Sequence, residues 1–305
     1  MAEVVWRLGL WLRRAVPLFQ EERLLGRTLI VLRALWQLPG CILKEPGYRS
    51  LDKAWLCLKL AFRYTMVSPA LLFRMYDIAE EAGESGIEGD LVECGVWNGG
   101  SAALLAVATM GRRGDRDVWL YDSFRGLPPP TERDPEAVRE FWFQGWNMGQ
   151  ELRVREIWRR LRLPTRRLHI RRGWFTQSFR SEEIGSIAVL HIDCDWYDSV
   201  KLCLDSWYDK VTPGGIVILN DYNLYSGAND AVHDFLAERR TSVEIHLLGR
   251  AGAYFICPER VRAPVPGPWI PREEIDREVA RSSEAEPSAS PLRRRRAGDS
   301  GIDIR

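Results

Sequence analysis

Gly89-Asp90-Leu91-Val92-Glu93-Cys94-Gly95-Val96-Trp97-Asn98-Gly99-Gly100-Ser101 sets the rhythm of this chain. An apolar run of strand length enters a glycine-rich turn, and the small apolar residues after Ser101 predict a helix over 100–110. Glycine lets a backbone approach a ligand closely, and the N-terminus of a helix presents free N–H groups. Gly95, Gly99 and Gly100 do not have the spacing of the G-x-G-x-x-G dinucleotide fingerprint. A tight strand–helix turn with no ligand is the plain alternative.

Downstream, strands are predicted at about 117–122, 167–171, 187–193, 214–220, 243–248 and 252–257. Helices are predicted near 151–161, 198–209 and 227–239. This alternation argues for a doubly wound α/β fold, a mostly parallel sheet covered on both faces. Val243, Ile245 and Leu247 alternate, Gly249 to Gly252 make a four-residue loop, and Ala253, Phe255 and Cys257 alternate again. That is a terminal antiparallel hairpin.

Upstream, helices are expected at 50–62 and 69–82, the second with Ser68 as N-cap and Pro69 at its first position. Val4, Val5, Leu8, Trp11, Leu12 and Ala15 recur at helical spacing before Pro17, and a second helical pattern runs over 22–38. Trp6, Trp11, Trp36 and the interspersed arginines suit an oligomer interface, an active-site cover, or helices resting on a membrane surface. The expected organisation is an N-terminal helical extension (1–62), a catalytic domain (63–260), a Pro-rich extended segment (261–280) and a disordered tail (281–305).

Composition sets outer bounds. A net charge of +1 gives no global field for nucleic acid. None of the six cysteines forms a CxxC pair or a zinc spacing with His, so a reducing cytoplasm is expected. No secretory signal stands out, and the most apolar run, Thr28 to Trp36, is too short to span a bilayer.

The chemistry gathers at strand ends. Asp122 closes Val118-Trp-Leu-Tyr-Asp, where such sheets bind ribose hydroxyls. Asp193 and Asp195 follow the strand Leu190-His-Ile, and Asn220-Asp221 follow Ile216-Val-Ile-Leu. Asp193, Asn220 and Asp221 offer only oxygen, which suits a hard cation such as Mg²⁺. His191 shares a face with Asp193 and is read as a hydrogen-bonded core histidine. Residues 128–149, with Phe141, Trp142, Phe143 and Trp146, look like either an active-site lid or a surface helix packing its aromatics inward. The nine arginines between Arg153 and Arg172 are read as a solvated helix face.

Six stretches together resemble the macrocin O-methyltransferase (TylF-like) family of sugar O-methyltransferases. They are RYTMVSPA (63–70), GDLVECGVWNGGSA (89–102), VWLYDSFRGLP (118–128), RRGWF (171–175), LHIDCDWYDSVKLCL (190–204) and PGGIVILNDY (213–222). The resemblance implies a class I methyltransferase fold of seven strands ending in the hairpin, and dependence on Mg²⁺. It implies S-adenosylmethionine held by Thr65, Met66, Glu93, Gly95, Ser101, Asp122, Ser123 and Trp174. It implies the metal on Asp193, Asn220 and Asp221, the general base at Asp195, and a hydroxyl of a glycosylated natural product, glycolipid or polysaccharide precursor as acceptor. The chain departs from the family in carrying Asn220 where an acid is common, and Asn223 where some relatives place a His base. A nicotinamide-dependent oxidoreductase and a non-catalytic scaffold of the same fold are the alternatives.

Overall fold

A computed structural model describes residues 48–61, 63–110 and 116–258. The expected N-terminal helices before residue 48, the Pro-rich segment and the basic tail lie outside the described residues.

The elements in chain order are α1 (Tyr48–Ala61), α2 (Pro69–Glu84), β1 (Asp90–Cys94), α3 (Gly100–Met110), β2 (Val118–Asp122), α4 (Glu136–Phe141), α5 (Glu151–Arg160), β3 (Leu168–Arg172), α6 (Phe175–Ser178), β4 (Ile187–Ile192), α7 (Tyr197–Trp207), β5 (Val211–Leu219), α8 (Ser226–Glu238), β6 (His246–Leu248) and β7 (Gly252–Ile256). The strands form one seven-stranded sheet of order β3-β2-β1-β4-β5-β7-β6. β3, β2, β1, β4 and β5 run parallel, and β7 pairs antiparallel with both β5 and β6. This is the doubly wound sheet with a closing hairpin that the sequence predicts. Strand order reverses between β1 and β4, so a crevice opens at their carboxyl ends.

Alternation along each strand divides the interior. Leu91, Val189, Ile216 and Ile218 face one core layer, with Ala54, Cys57 and Leu60 of α1, Leu72 and Met75 of α2 and Leu104 of α3. Val92, Leu190, Val217 and Leu219 face the other, with Val200 and Leu204 of α7 and Val232 and Phe235 of α8. Each such apolar side chain contributes about 1.5–3 kcal/mol when fully buried. At α2, the Ser68 hydroxyl accepts from Leu71 N at 3.3 Å and Pro69 occupies the first turn, as expected.

Two predicted elements differ. β6 covers only His246–Leu248, because its ladder partners are Gly252, Ala253 and Tyr254. Val243 and Ile245 are unpaired yet pack on the core, so their alternation reports burial and not strand pairing. Gly252 sits opposite Leu248 inside the ladder, which leaves a three-residue loop, Gly249–Ala251, in place of the four expected. β5 begins earlier than predicted, at Val211, and its register against β4 shifts between Ile187 and Val189.

The aromatic segment after β2 packs inward. Trp146 is fully buried, stacks on Phe143 at 5.7 Å and meets Trp196 edge-on. Of the arginines near α5, Arg155 pairs with Glu151, Arg153 and Arg160 with Glu156, Arg167 with Asp117 and Arg171 with Glu183. Among the described residues, no helix is long and apolar enough to cross a membrane.

Gly95 fixes the close approach of β1 and β4. Its φ is +86°, and a Cβ there would overlap the Asp193 carbonyl oxygen. Gly95→Ala should therefore destabilise the fold by at least about 3 kcal/mol, the range of a severe backbone conflict. At about 2–4 °C per kcal/mol this lowers the melting temperature by roughly 6–12 °C. Gly185→Ala, where a Cβ meets nothing within 4 Å, is the control and should leave melting unchanged. Equal melting of the two variants would show that the β1–β4 contact is not limiting.

Candidate active site

The crevice at the strand ends holds an open cavity of about 410 Å³. Of the residues expected from sequence, Thr65, Met66, Ser101, Asp193, Asp195, Asn220 and Asp221 line it. Val67, Val96, Trp97 and Asn147 line it too. Nothing in their residue types pointed to those four. Adjacency to the motifs was the available signal for Val96 and Trp97, and Asn147 arrives from a loop distant in sequence.

The glycine turn is stitched on both sides. Gly100 N donates to Tyr64 O at 2.7 Å, Asn98 Nδ2 donates to Arg63 O at 3.2 Å, and Asn98 Oδ1 accepts from Gln150 N at 2.9 Å. These bonds bring Thr65 and Asn147 to the cavity. The Thr65 hydroxyl accepts from Val67 N at 3.0 Å, and Met66 is left 44% exposed at the rim.

Glu93, Gly95, Asp122, Ser123 and Trp174 are not among the residues that line the cavity. Glu93 is fully buried, and its Oε1 accepts from Ser101 Oγ at 2.6 Å. His191, also fully buried, places Nδ1 3.2 Å from the same oxygen, outside good hydrogen-bond alignment. The expected hydrogen-bonded core histidine is thus a buried one with a poorly aligned partner. Asp122 Oδ2 accepts from Val96 N and Trp97 N, each at 2.8 Å, and Oδ1 accepts from Phe124 N at 2.6 Å. A carboxylate has about four acceptor sites, so roughly one remains for a ligand hydroxyl. Burial pushes this carboxyl above its ordinary range, and the three backbone N–H groups oppose that. Ser123 closes a local turn, donating to Gly126 O and accepting from Arg125 N, both at 3.0 Å. Trp174 is half-buried just past the end of β3.

The acidic cluster is the electrostatic centre. Asp193 follows β4, and Asn220 and Asp221 follow β5. Asp193 N donates to Cys94 O at 2.8 Å and Asn220 N to Ile192 O at 2.9 Å, which continues the sheet into the site. Asn220 Nδ2 donates to Asp193 Oδ1 at 2.8 Å, while Asn220 Oδ1 is buried with no partner. Burial, then the carboxylates of Asp221, Asp195 and Glu93, push the Asp193 carboxyl well above the ordinary carboxylate range. Among the described residues no Lys or Arg lines the cavity to offset this charge. Among the described residues no three His, Cys, Asp or Glu side chains converge as a metal site, so the candidate set is two carboxylates and one amide.

Asp195 is held in an uncommon conformation. Its φ is +62°, and Trp196 N donates to Cys194 O at 2.7 Å across it. That is a γ-turn of the strained hand, costing about 1–3 kcal/mol for a non-glycine residue. Strain of this kind persists only where the surroundings over-determine it.

The chain has relatives among known proteins. It matches the family described as Macrocin-O-methyltransferase (TylF) over residues 48–256. It is 31% identical over 196 residues to the demethyldecarbamoylnovobiocin O-methyltransferase of Streptomyces niveus, covering 63% of this chain and 75% of that one. It is 30% identical over 199 residues to the mycinamicin III 3''-O-methyltransferase of Micromonospora griseorubida, covering 63% and 78%. Among solved structures, the O-methyltransferase NovP superposes with a TM-score of 0.60 at 27% identity, over 76% of this chain and 100% of that one. A calicheamicin methyltransferase shares the fold, with a TM-score of 0.55 at 18% identity over 78% and 95%. The oxidoreductase alternative falls with these matches. The chain belongs to the macrocin-O-methyltransferase (TylF) family and is an S-adenosylmethionine-dependent O-methyltransferase.

Proposed function

We propose that the protein methylates a sugar hydroxyl of a glycosylated small molecule, with Asp195 as general base and a divalent cation, Mg²⁺, at Asp193, Asn220 and Asp221. The carrying observation is that these four side chains share one cavity with Thr65, Met66 and Ser101. The relatives named for glycosylated antibiotics support the acceptor class.

The residues fit both absent groups. The orphaned Asn220 oxygen beside buried carboxylates with no cationic side chain suits a hard divalent ion. The remaining acceptor site on Asp122 suits a ribose hydroxyl, and the turn before α3 would take the rest of S-adenosylmethionine with Thr65, Met66, Glu93, Gly95, Ser101, Ser123 and Trp174 around it. When bound, that cofactor supplies a methyl group on a sulfonium centre, and the cation supplies Lewis acidity toward the hydroxyl. A sugar hydroxyl is almost wholly protonated at neutral pH and is a weak nucleophile. Asp195 would take that proton as the hydroxyl oxygen bonds to the donated methyl carbon, the C–S electron pair leaving with sulfur. Such a transfer requires the cavity to align the hydroxyl oxygen with the donated methyl, the attacking pair within about 3–3.5 Å. Strain at Asp195 favours this reading over a non-catalytic scaffold, which has no use for a costly turn in its cavity.

Demethyldecarbamoylnovobiocin and mycinamicin III are the first acceptors for a test panel. Asp195→Asn should lower turnover by about 10²–10⁴-fold. Calorimetric binding of S-adenosylmethionine should stay within about twofold, because the variant removes an interaction made only in the transition state. Turnover close to wild type would move the base elsewhere.

Removal of divalent ions with EDTA should abolish turnover, and Mg²⁺ should restore it. In a Mg²⁺ titration, Asn220→Asp should shift half-saturation to lower concentration without raising saturated turnover. A third negative charge tightens the ion but weakens its pull on the hydroxyl. Asp221→Ala should lose Mg²⁺ binding, read directly by calorimetry, together with activity. Wild-type activity of Asp221→Ala in EDTA would reduce the Asn220–Asp221 pair to a strand-end cap.

A further inference from the structure

Asp195 needs support from outside its own strand, and the chain supplies it from the segment after β2. The next residue, Trp196, is 1% exposed. Its indole Nε1 donates to Pro128 O at 2.9 Å. Its ring meets Trp146 edge-on at 6.0 Å and Tyr225 edge-on at 5.2 Å. One residue further, Tyr197 N donates to Asp134 Oδ1 at 2.9 Å, which caps α7 from a distance of 63 residues in sequence. Asp134 is itself 3% exposed, and its Oδ2 accepts from Thr131 N at 2.8 Å. A Cβ on Gly227 of α8 would overlap this carboxylate, so Asp134 is wedged in place. On the outside, Tyr197 Oη donates to Asp234 Oδ2 at 2.8 Å, and the same oxygen pairs with Arg133 at 2.5 Å.

The strained turn at Asp195 is therefore clamped on its C-terminal side by two part-buried hydrogen bonds to one distant segment. Its N-terminal side is fixed by the Asp193–Cys94 bond of the sheet. We propose that Trp196 and Asp134 are positioning residues for methyl transfer, a strut that holds Asp195 in its γ-turn and aims its carboxylate at the acceptor hydroxyl. The proposal rests on Asp195 being the base. With the strut cut, a γ-turn costing about 1–3 kcal/mol relaxes toward ordinary backbone, and the carboxylate moves. A shift of about 1 Å at a reacting group costs on the order of 10²-fold in rate.

Trp196→Phe keeps an aromatic ring but removes the indole N–H together with part of the buried ring volume. Asp134→Ala cuts the other end of the strut and serves if the first variant does not fold. With the panel acceptor that turns over fastest, each should lower kcat by about 10–100-fold and leave KM for S-adenosylmethionine within about twofold. A crystal structure of either variant should show Asp195 outside the positive-φ region. Placed on Asp195→Asn, either substitution should cost nothing further in kcat, because there is no longer a base to aim. A packing role alone would lower the melting temperature and leave kcat untouched. An intact turn and wild-type kcat in both variants, with Asp195→Asn inactive, overturns the strut alone. A relaxed turn with full turnover in Asp195→Asn overturns the base assignment instead.

Discussion

The carbonyl oxygen of Asp193 stands where any side chain on residue 95 would have to be. This contact draws the carboxyl ends of β1 and β4 together at the point where strand order reverses. The glycine turn then leaves β1 at an angle that Asn98 and Gly100 can stitch to two flanking segments. The strand-end acids come to one cavity because β4 and β5 stay in register from Val189 to Ile192. The glycine that reads in sequence as a cradle for a ligand is, in the fold, first a clearance for the neighbouring strand.

The sheet was legible because its apolar runs are short, bounded by turn residues and separated by helical periods. β1, β2, β3 and β4 fall within a residue or so of expectation. The miss at β6 has a plain cause, since side-chain alternation records which residues are buried and not which backbones pair. Val243 and Ile245 alternate with Leu247, yet only the last belongs to a ladder. In the site, the acids Asp193, Asp195 and Asp221 could be read from their positions after apolar strands. Asn147, Pro128 and Asp134 lie in the segment 128–149 that was legible as a possible lid, but the contact each makes is a long-range approach that no local pattern encodes. The job of Asp122 was half legible. A strand-end carboxylate signals a hydrogen-bond acceptor, but only the fold reveals that three backbone N–H groups already reach it.

Charge in the cavity is one-sided. Among the described residues three carboxylates and two amides, Asn147 and Asn220, line it with no cationic side chain, and burial raises the energy of every one of those charges. Asn220 lowers that repulsion by one charge relative to an all-acid arrangement, and its N–H is a donor that Asp193 accepts. An amide at this position therefore eases the burial of the neighbouring acids. That exchange is internal to the strand ends and needs no change elsewhere in the sheet.

The outer edge of β3 carries a different consequence. As the terminal strand of the sheet it presents an open row of backbone donors and acceptors, the template on which sheets of separate molecules can add to one another. Its five residues include His169, Arg171 and Arg172, and Arg166 and Arg167 precede it. Arg167, His169 and Arg171 each meet an acid of their own chain, so charge on this edge is largely balanced within the molecule. The strand is short, at five residues. Length more than charge thus bounds any ladder that a further copy could build on this border.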